Sequence, residues 1–537
     1  MTHPYAASSR AATPSPAAAG EVDPGAMVAV GTGPMTIEEV VAVARHDARV
    51  EITEESWAAV RASRQIVEDL AHDVEPHYGI STGFGALATR HIPTEMRRQL
   101  QISLIRSHAA GSGPAVEREV VRALMVLRIS TLATGRTGVR EATLAAYVGM
   151  LNAGITPVVH EYGSLGCSGD LAPLAHCALA LCGEGVVRDA AGVERPAAEA
   201  LASAGLEPVV LQEKEGLALI NGTDGMLGML CLAITDLREL VVVADIATAM
   251  SVEGLMGTDN VFAADLHALR PQAGQQVSAA NLRALMAGSA IRASHDVEDC
   301  PRVQDAYSLR CAPQVTGAVR DTIAYAAVVA GRELASAVDN PVVTLDGRVE
   351  SNGNFHGAPV AYPLDFLAIV AADLASMSER RTDRFLDRSR SHGLAPFLAD
   401  DPGVDSGHMI AQYTQAAVVS ELKRLAAPAS VDSIPSSAMQ EDHVSMGWSA
   451  GRKLRRAVDG LARVLAIEVL TAARGLQLRA PLAPAAATGA VVSALVEAGA
   501  SAPGTDRWLA PEIETAYQLV VEGSVRAAAE RHTGPLG

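Results

Sequence analysis

One stretch of the chain combines residue types that could build a reactive group from the backbone itself. It reads Gly-Ser-Leu-Gly-Cys-Ser-Gly-Asp-Leu-Ala-Pro-Leu over residues 163–174. A serine-hydrolase elbow would need glycine two residues before and two residues after the nucleophile. Gly166 meets the first requirement for Ser168, but position 170 is an aspartate, so the hydrolase interpretation fails.

The succession Cys167-Ser168-Gly169 fits a different chemistry. Attack of the Gly169 amide nitrogen on the Cys167 carbonyl would close a five-membered ring. Loss of water, including the hydroxyl of Ser168, would then leave an exocyclic methylidene on an imidazolone. Glycine suits position 169 because a side chain there would obstruct the approach of the backbone. The flanking glycines and Pro173 would hold the loop bent for this cyclisation.

The run GSLGCSGDLAPLAH resembles the signature of the histidine, phenylalanine and tyrosine ammonia-lyases and aminomutases. That family uses a methylidene-imidazolone prosthetic group, built from Ala-Ser-Gly in most members. Cys167 is a departure, but its side chain stays outside the reacting methylidene, so we expect the group to form from Cys167, Ser168 and Gly169. The resemblance extends over nearly the whole chain beyond the N-terminal tail. It implies a carbon–nitrogen lyase that needs no external cofactor.

Further motifs extend the resemblance to other catalytic residues. Tyr78, in YGISTGFG, resembles the family's base that removes the β-proton of the substrate. Asn221, in LINGT, resembles the asparagine that hydrogen-bonds near the electrophile. The segment RVQDAYSLRC resembles the one that places Gln304, Tyr307 and Arg310 in the site. Arginine offers a two-pronged donor to a carboxylate, so we expect Arg310 to bind the substrate's α-carboxylate.

Two residues point to a polar ring in the substrate. His108 stands where the family places its ring-reading residue, and histidine there suits an imidazole or a phenol. Glu441 falls where histidine-specific members carry a carboxylate, whereas phenylalanine- and tyrosine-specific members generally have an amide. Phe355 and Met409 would complete the pocket. The resemblance therefore implies L-histidine as the substrate and urocanate as the product.

Some alternatives stay open within the same family. His408 is an unusual polar neighbour for the pocket methionine, and Met439 stands where many relatives have asparagine. A tyrosine ammonia-lyase or an aromatic amino acid 2,3-aminomutase is the nearest alternative. An inactive relative with a binding or structural role would require the loss of Ser168, Tyr78 or Arg310, and all three are present.

Other cofactors are not expected. The histidines that could suggest a metal site have no ligand spacing, so we predict no metal. The sequence also lacks a P-loop and a convincing dinucleotide-binding fingerprint. These histidines are His356, His392, His408 and His443.

The elements that must position these residues are predicted to be mainly helices. Residues 1–34 read as a flexible tail, residues 35–225 as a region carrying the active-site loops, residues 226–510 as a central helical bundle and residues 511–537 as a C-terminal segment. Thr36 and Glu39 form a plausible capping box, and a second helix should start at Thr53. Apolar stripes with helical spacing recur in the bundle region, one of them placed just after Pro363 as a helix starter. Asp346-Gly347 predicts a hairpin within residues 342–351.

By resemblance, this bundle is of the fumarase/aspartase type. The relatives are homotetramers whose active sites combine segments of several subunits. The apolar stripes on the helices are consistent with extensive burial, but they do not determine the number of subunits.

Composition excludes several classes of function. Of 537 residues, 49% are apolar and 19% charged, which predicts a large core rather than disorder. A net charge of −18 repels phosphate backbones, so a nucleic acid partner is not expected. The strongest apolar stretches, such as residues 226–250, are interrupted by charges, so no membrane partner is expected either. Six cysteines without a CxxC pair, and no secretory signal, indicate reduced thiols in the cytoplasm.

Overall fold

The fold is mainly α-helical, which confirms the predicted class. The computed structural model describes residues 27–73, 77, 79–82, 92–295 and 303–537. Within these residues the α-helices are α1 (Ile37–Arg45), α2 (Glu54–Ala71), α3 (Arg97–His108), α4 (Arg118–Ala133), α5 (Glu141–Asn152), α6 (Leu171–Leu181), α7 (Ala197–Ser203), α8 (Glu215–Ile220), α9 (Asp224–Gly254), α10 (Ala264–Ala268), α11 (Ala273–Leu285), α12 (Ala290–Ala293), α13 (Tyr307–Arg310), α14 (Ala312–Leu334), α15 (Ala358–Leu386), α16 (Met409–Leu425), α17 (Gly447–Gln477), α18 (Ala486–Glu497), α19 (Ala510–Val521) and α20 (Ser524–Thr533).

The strands in the described residues are short and form four small sheets. One pair is parallel, β1 with β2, and the other pairings are antiparallel: β3 with β5, β6 with both β4 and β7, and β8 with β9. Their bounds are β1 (Met27–Val30), β2 (Arg49–Ile52), β3 (Ser112–Ala115), β4 (Thr156–Pro157), β5 (His160–Tyr162), β6 (Val186–Arg188), β7 (Glu194–Pro196), β8 (Val342–Val343) and β9 (Val349–Glu350).

Three long helices, α9, α15 and α17, run parallel through the core. At one end, Met226 of α9 lies so close to the starts of α15 and α17 that a β-carbon on Gly357 or Gly447 would come within 2.5 or 2.6 Å of its sulfur. At the other end, Phe385 of α15 packs against Gly254, the last residue of α9. We call the end where these three helices begin the loop end, and the end where they finish the distal end.

The helices α14 and α16 run in the opposite direction. Thr223, just before α9, donates a 2.5 Å hydrogen bond to Glu333 near the C-terminus of α14, so α14 finishes at the loop end. His408, just before α16, lies 3.1 Å from the hydroxyl of Thr471 late in α17, so α16 begins at the distal end. The five helices therefore form an up-and-down bundle of the kind predicted. Almost every residue of α9 is buried, as expected for a helix surrounded by others.

Several local predictions are confirmed. The Thr36 side chain accepts the N–H of Glu39 at 3.1 Å, and the Glu39 carboxylate accepts the N–H of Thr36 at 2.7 Å, which completes the capping box of α1. Thr53 caps α2, which starts at the next residue. The predicted hairpin is present, with β8 and β9 joined across Gly347.

Two predicted boundaries need correction. The flexible tail was expected to cover residues 1–34, but Met27–Val30 forms strand β1, because it pairs with β2 and buries Val28 and Val30. Pro363 does not start a helix. It lies inside α15, which begins at Ala358 with Pro359 in its first turn, where a missing N–H costs no hydrogen bond.

One helix among the described residues, α15, is long and apolar enough to cross a membrane by length and composition. Its most apolar window is 61% buried inside the protein. Because α9, α14, α16 and α17 pack around it, its apolar composition is accounted for by its place in the core.

A buried ion pair joins α15 to α17 at the distal end. Arg381 donates two hydrogen bonds to Glu468, at 2.5 and 2.8 Å, and the hydroxyl of Ser251 in α9 donates a third at 2.7 Å. Both charged side chains are almost completely buried, with 1% and 0% of their area exposed.

We expect Glu468→Gln to lower the free energy of unfolding by about 3–5 kcal/mol, because it leaves the Arg381 charge buried without a counter-charge. Urea unfolding followed by circular dichroism would measure the loss. Glu514→Gln is the matched control, because Glu514 pairs with Arg463 on the surface and should contribute no more than about 1 kcal/mol. Similar losses in both variants would contradict the role assigned to burial.

Candidate active site

The stretch singled out in the sequence folds into a tight turn at the loop end of the bundle. The N–H of Gly169 points to the carbonyl of Gly166 at 3.4 Å, which closes the turn. Ser168 has a φ of +48°, in the left-handed region that residues with a side chain rarely occupy. Such strain is found where the surrounding structure imposes it, typically at functional sites.

Gly169 is required at its position for two reasons. Its φ is +82°, and a β-carbon there would lie 1.9 Å from the carbonyl oxygen of Gly222. The two backbones are joined by hydrogen bonds from the N–H of Asp170 to the Gly222 carbonyl, 2.7 Å, and from the N–H of Gly222 to the Ser168 carbonyl, 3.2 Å. The turn is therefore bent and free of side chains at position 169, as backbone cyclisation would require.

Asp170 ties the turn to the first residues of α9. Its carboxylate accepts the N–H of Met226 at 2.9 Å and the hydroxyl of Ser164 at 2.9 Å. The side chain is completely buried, and this burial raises the pKa of Asp170 to about 7. The turn cannot move without breaking contacts with the central helix.

Four helices begin around this turn. Helix α6 starts two residues after Gly169, and α9, α15 and α17 start at the loop end beside it. A β-carbon on Gly166 would lie 2.4 Å from the hydroxyl of Ser445, two residues before α17. Helix N-termini carry a partial positive charge, so their convergence favours negative charge that develops at the turn.

Glu441 lies beside Cys167, the first residue of the turn. Burial raises the pKa of the Cys167 thiol to about 11, and the neighbouring Glu441 carboxylate contributes to this rise. Oε2 of Glu441 is shielded from solvent and accepts no hydrogen bond from the part of the chain that the structure describes. An unsatisfied carboxylate oxygen in this position is suited to accept a hydrogen bond from a ligand.

His108, the last residue of α3, has a defined tautomer. Its Nδ1 lies 2.9 Å from the carbonyl of Leu104, and a carbonyl can only accept, so Nδ1 carries the proton. Burial lowers the pKa of His108, which favours the neutral ring. Nε2 is consequently an acceptor.

Asn221 and Phe355 also lie at the loop end. Asn221 is buried next to Gly222, and its side-chain nitrogen donates a 2.7 Å hydrogen bond to the carbonyl of Asn340. Phe355 is half-buried two residues before Gly357, where a β-carbon would lie 2.5 Å from the sulfur of Met226 at the start of α9. The structure therefore brings both residues to the same end of the bundle as Ser168.

The remaining described residues of the predicted site lie at the distal end. Arg310 donates hydrogen bonds to the Gln304 side chain, 2.8 Å, and to the Asp305 carbonyl, 2.9 Å, and stacks over the ring of Tyr307 at 4.6 Å. The Ser308 carbonyl next to Tyr307 accepts from Arg381, which places this cluster beside the distal ion pair.

Met409 begins α16 at the same distal end. From Gly447 at the loop end to Glu468 beside Arg381 is about six turns of α17, or roughly 30 Å. One chain therefore does not bring Gln304, Tyr307, Arg310 or Met409 to Ser168.

Tyr78, the predicted base, lies outside the described residues. The next residue, Gly79, is described, and a β-carbon on it would lie 2.7 Å from Leu217 and 3.2 Å from Pro341. Leu217 lies four residues before Asn221, and Pro341 directly follows Asn340, the hydrogen-bond partner of Asn221.

Three polar contacts around the site were not predicted from the sequence. Asp170 was within the quoted motif, but its burial and its bond to α9 depend on residues far along the chain. Arg128, fully buried in α4, pairs with Asp224 at the start of α9. His356 stacks on His443 with ring centroids 5.6 Å apart, and these residues flank Phe355 and Glu441. No sequence motif signalled the last two contacts.

The four histidines weighed as metal ligands lie in separate places. His356 stacks on His443, His392 packs against His295, and His408 contacts Thr471. Among the residues that the structure describes, no group of three or more histidine, cysteine or acidic side chains could hold a metal ion.

The chain is similar over most of its length to known proteins. A family model described as aromatic amino acid lyase matches residues 35–497. The chain is 66% identical over 511 residues to a histidine ammonia-lyase of Streptomyces griseus, covering 95% of this chain and 99% of the relative. It is 50% identical over 498 residues to a histidine ammonia-lyase of Anaeromyxobacter dehalogenans, covering 91% of this chain and 98% of that relative.

Solved structures show the same fold. The tyrosine aminomutase of Streptomyces globisporus has a TM-score of 0.88 at 38% identity, covering 95% of this chain and all of that one. The histidine ammonia-lyase of Trypanosoma cruzi has a TM-score of 0.86 at 38% identity, covering 94% of this chain and 95% of that one.

The burial of Asp170 generates a pH prediction. Because its pKa is about 7 in the folded protein and near 3.8 otherwise, the folded state holds an extra proton between these values. Stability from this group is therefore lost as pH rises from about 4 to 7. Asp170→Asn removes this titratable group. We therefore expect the urea midpoint of the variant minus that of the unaltered protein to become larger as pH rises from about 4 to 7.

Urea unfolding at a series of pH values would measure this difference. Asp442→Asn is the control, since Asp442 is exposed. Curves for the Asp170 variant and the unaltered protein that stay parallel would contradict the assigned pKa.

Proposed function

This chain belongs to the aromatic amino acid lyase family, and we propose that it eliminates ammonia from L-histidine to give urocanate. The carbon–nitrogen lyase class follows from the family. The choice of histidine rests on one observation above all: Glu441 presents an unsatisfied carboxylate oxygen beside the reactive turn. That oxygen can accept from an imidazole N–H and has no comparable partner on a phenyl ring. The sequence identity of 50–66% between this chain and several histidine ammonia-lyases supports the same choice.

We infer that Cys167, Ser168 and Gly169 form the methylidene-imidazolone group with the loss of two water molecules. The closed turn, the left-handed backbone at Ser168 and the side-chain-free contact at Gly169 fit this group. When formed, the group supplies an electrophile that assists the departure of an otherwise poor leaving group.

The residues at the loop end would hold the ring of the substrate. His108 offers its Nε2 and Glu441 its Oε2, and both atoms accept rather than donate. A protonated imidazole ring could donate to both, and a neutral one to either. Phe355 would form the wall of the pocket. The Asn221 amide is oriented by its bond to Asn340, which leaves its carbonyl oxygen available near the turn.

The other end of the substrate requires the residues of the distal end. Tyr307 would be a second tyrosine of the site. The first is Tyr78, the proposed base for the β-proton, whose neighbour Gly79 lies beside Leu217 and Pro341 at the loop end. The guanidinium of Arg310 is held in place by Gln304 and Asp305 and would bind the α-carboxylate. Met409 would complete the pocket.

The loop end and the distal end of one chain lie roughly 30 Å apart along α17, which is too far for a single amino acid to bridge. We therefore infer that a working site combines the loop end of one copy with the distal end of another. A homotetramer provides such a contact, and we propose this state for the protein. We also propose that it acts in the cytoplasm, without a nucleic acid or membrane partner.

A tyrosine aminomutase shares the fold at 38% identity, so a tyrosine lyase or mutase is the second candidate. His108 suits a phenol as well as an imidazole. Glu441 favours histidine, because an amide would be expected opposite a phenol in this family.

We expect the purified protein to release urocanate from L-histidine and no product from L-tyrosine or L-phenylalanine. Ultraviolet absorbance follows each product. Ser168→Ala should abolish turnover, and its intact mass should no longer be lower than the sequence mass by two water molecules.

Substitution of the ring-reading carboxylate tests the substrate assignment. Glu441→Gln should lower kcat/KM for histidine about 10- to 100-fold, the effect of losing a charged hydrogen bond. Asp442→Asn, at the exposed neighbouring position, should have little effect. Activity on tyrosine alone would refute the choice of substrate while leaving the reaction class intact.

Mixing two inactive variants tests the composite site. Ser168→Ala and Arg310→Leu chains, produced together, should regain about a quarter of the normal activity, because random assembly leaves that fraction of sites with both residues intact. Ser168→Ala produced with Gly169→Ala is the control, since both changes affect the same turn and no site can be complete. Failure of the first pair to regain activity would show that each site lies within one chain.

A further inference from the structure

The bend that follows His108 is held by a second histidine, which lies outside the predicted site. Helix α3 ends at His108, and residues 109–111 lead into β3. The N–H of Gly111 donates to Nε2 of His176 at 3.0 Å. His176 lies on α6, the helix that begins directly after the reactive turn. One hydrogen bond thus links the bend to that helix.

The packing around Gly111 leaves little freedom for this bend. A β-carbon on Gly111 would lie 2.9 Å from Nε2 of His176 and 3.2 Å from the carbonyl of Tyr162. A β-carbon on Gly163, at the start of the reactive stretch, would lie 3.0 Å from the Gly111 α-carbon. Any shift of α6 or of the reactive stretch would therefore displace Gly111, which is three residues from His108.

A neighbouring histidine supports the same arrangement. The ring of His160 meets that of His176 edge-on, with centroids 5.3 Å apart and planes at 69°. Nδ1 of His160 donates to the carbonyl of Gly113 at 2.9 Å. The two histidines therefore fix the backbone on both sides of Ser112.

His176 is suited to remain an acceptor at neutral pH. Its burial, together with the nearby His160, lowers the pKa of His176 to about 4. A protonated ring could not accept the N–H of Gly111. The bond is consequently available over the pH range in which a cytoplasmic enzyme works.

We propose that His176 is a positioning residue that aims His108 at the substrate ring by accepting the Gly111 N–H. The inference rests on the proposed function, since it assigns His108 to ring recognition. His176 itself need not touch the substrate. Its effect should therefore appear in substrate binding and should depend on the presence of His108.

The first test compares two substitutions. His176→Leu removes the acceptor, and we expect it to raise KM for L-histidine about five- to tenfold with a smaller change in kcat. His176→Gln places an amide oxygen near the position of Nε2 and should restore most of the affinity. Equal increases in KM for both variants would contradict the proposal. His532→Leu, at an exposed histidine in α20, is the control.

The second test is a double-mutant cycle with His108→Leu. If His176 acts through His108, His176→Leu should not raise KM further in the His108→Leu background. An undiminished additional increase would contradict the proposal. Intact mass, which reports the loss of two waters at the turn, and the unfolding midpoint would show that each variant is folded and carries the reactive group.

The outcomes separate this inference from the function on which it rests. An unaltered protein that does not act on histidine would overturn the proposed function. An active protein whose KM is insensitive to His176→Leu would overturn only the positioning role.

Discussion

The backbone contact between Gly169 and Gly222 is the constraint on which the rest of the site depends. It brings two segments together with no side chain between them, and hydrogen bonds on either side keep them there. The carboxylate of Asp170 extends the connection to Met226 in α9. Because α9 is the central helix of the bundle, the turn is held by a rigid body rather than by a loop. A reactive group needs this precision, since an error of a fraction of an ångström in position lowers its efficiency.

The same bundle that holds the turn also separates the predicted site into two groups. Parallel α9, α15 and α17 place their first residues near Ser168 and their last residues near Arg381. The cluster at the distal end is nevertheless organised as if for a ligand, with Arg310 fixed by Gln304 and Asp305. Tyr307 exposes 67% of its surface, which is unusual for an aromatic residue with an assigned role. A second copy of the chain that covers the distal end would explain both the exposed ring of Tyr307 and the fixed position of the Arg310 side chain.

Local patterns in the sequence predicted their structures well. The capping box at Thr36 and the hairpin around Gly347 depend on residues a few positions apart, and both are present. The mainly helical class followed from the family resemblance and agrees with the apolar stripes. Strand β1 was missed because it depends on pairing with β2, and Ala, Gly and Pro around it suggested a tail.

Contacts between distant segments could not be predicted from the sequence. The family resemblance placed Cys167 and Glu441 in one site, but no spacing rule connects them, and nothing in the sequence indicated that Arg128 pairs with Asp224. The relative directions of the long helices could not be predicted either. An amphipathic stripe shows which face of a helix is buried, but not whether the helix runs parallel or antiparallel to its neighbours. The separation of Arg310 from Ser168 follows from those directions. For this reason, motifs that resemble one active site do not establish that a single chain forms it.

Cys167 illustrates how the environment can make an unusual residue acceptable. A thiolate next to a methylidene electrophile would be a strong nucleophile that could attack the electrophile in place of the substrate. Burial and the adjacent Glu441 carboxylate raise the pKa of Cys167 to about 11, so the thiol stays protonated at neutral pH. The carboxylate that would read the substrate ring therefore also suppresses the reactivity of the thiol. An amide at position 441 would lack the charge that contributes to this effect, so Cys167 and Glu441 are best understood as a compatible pair.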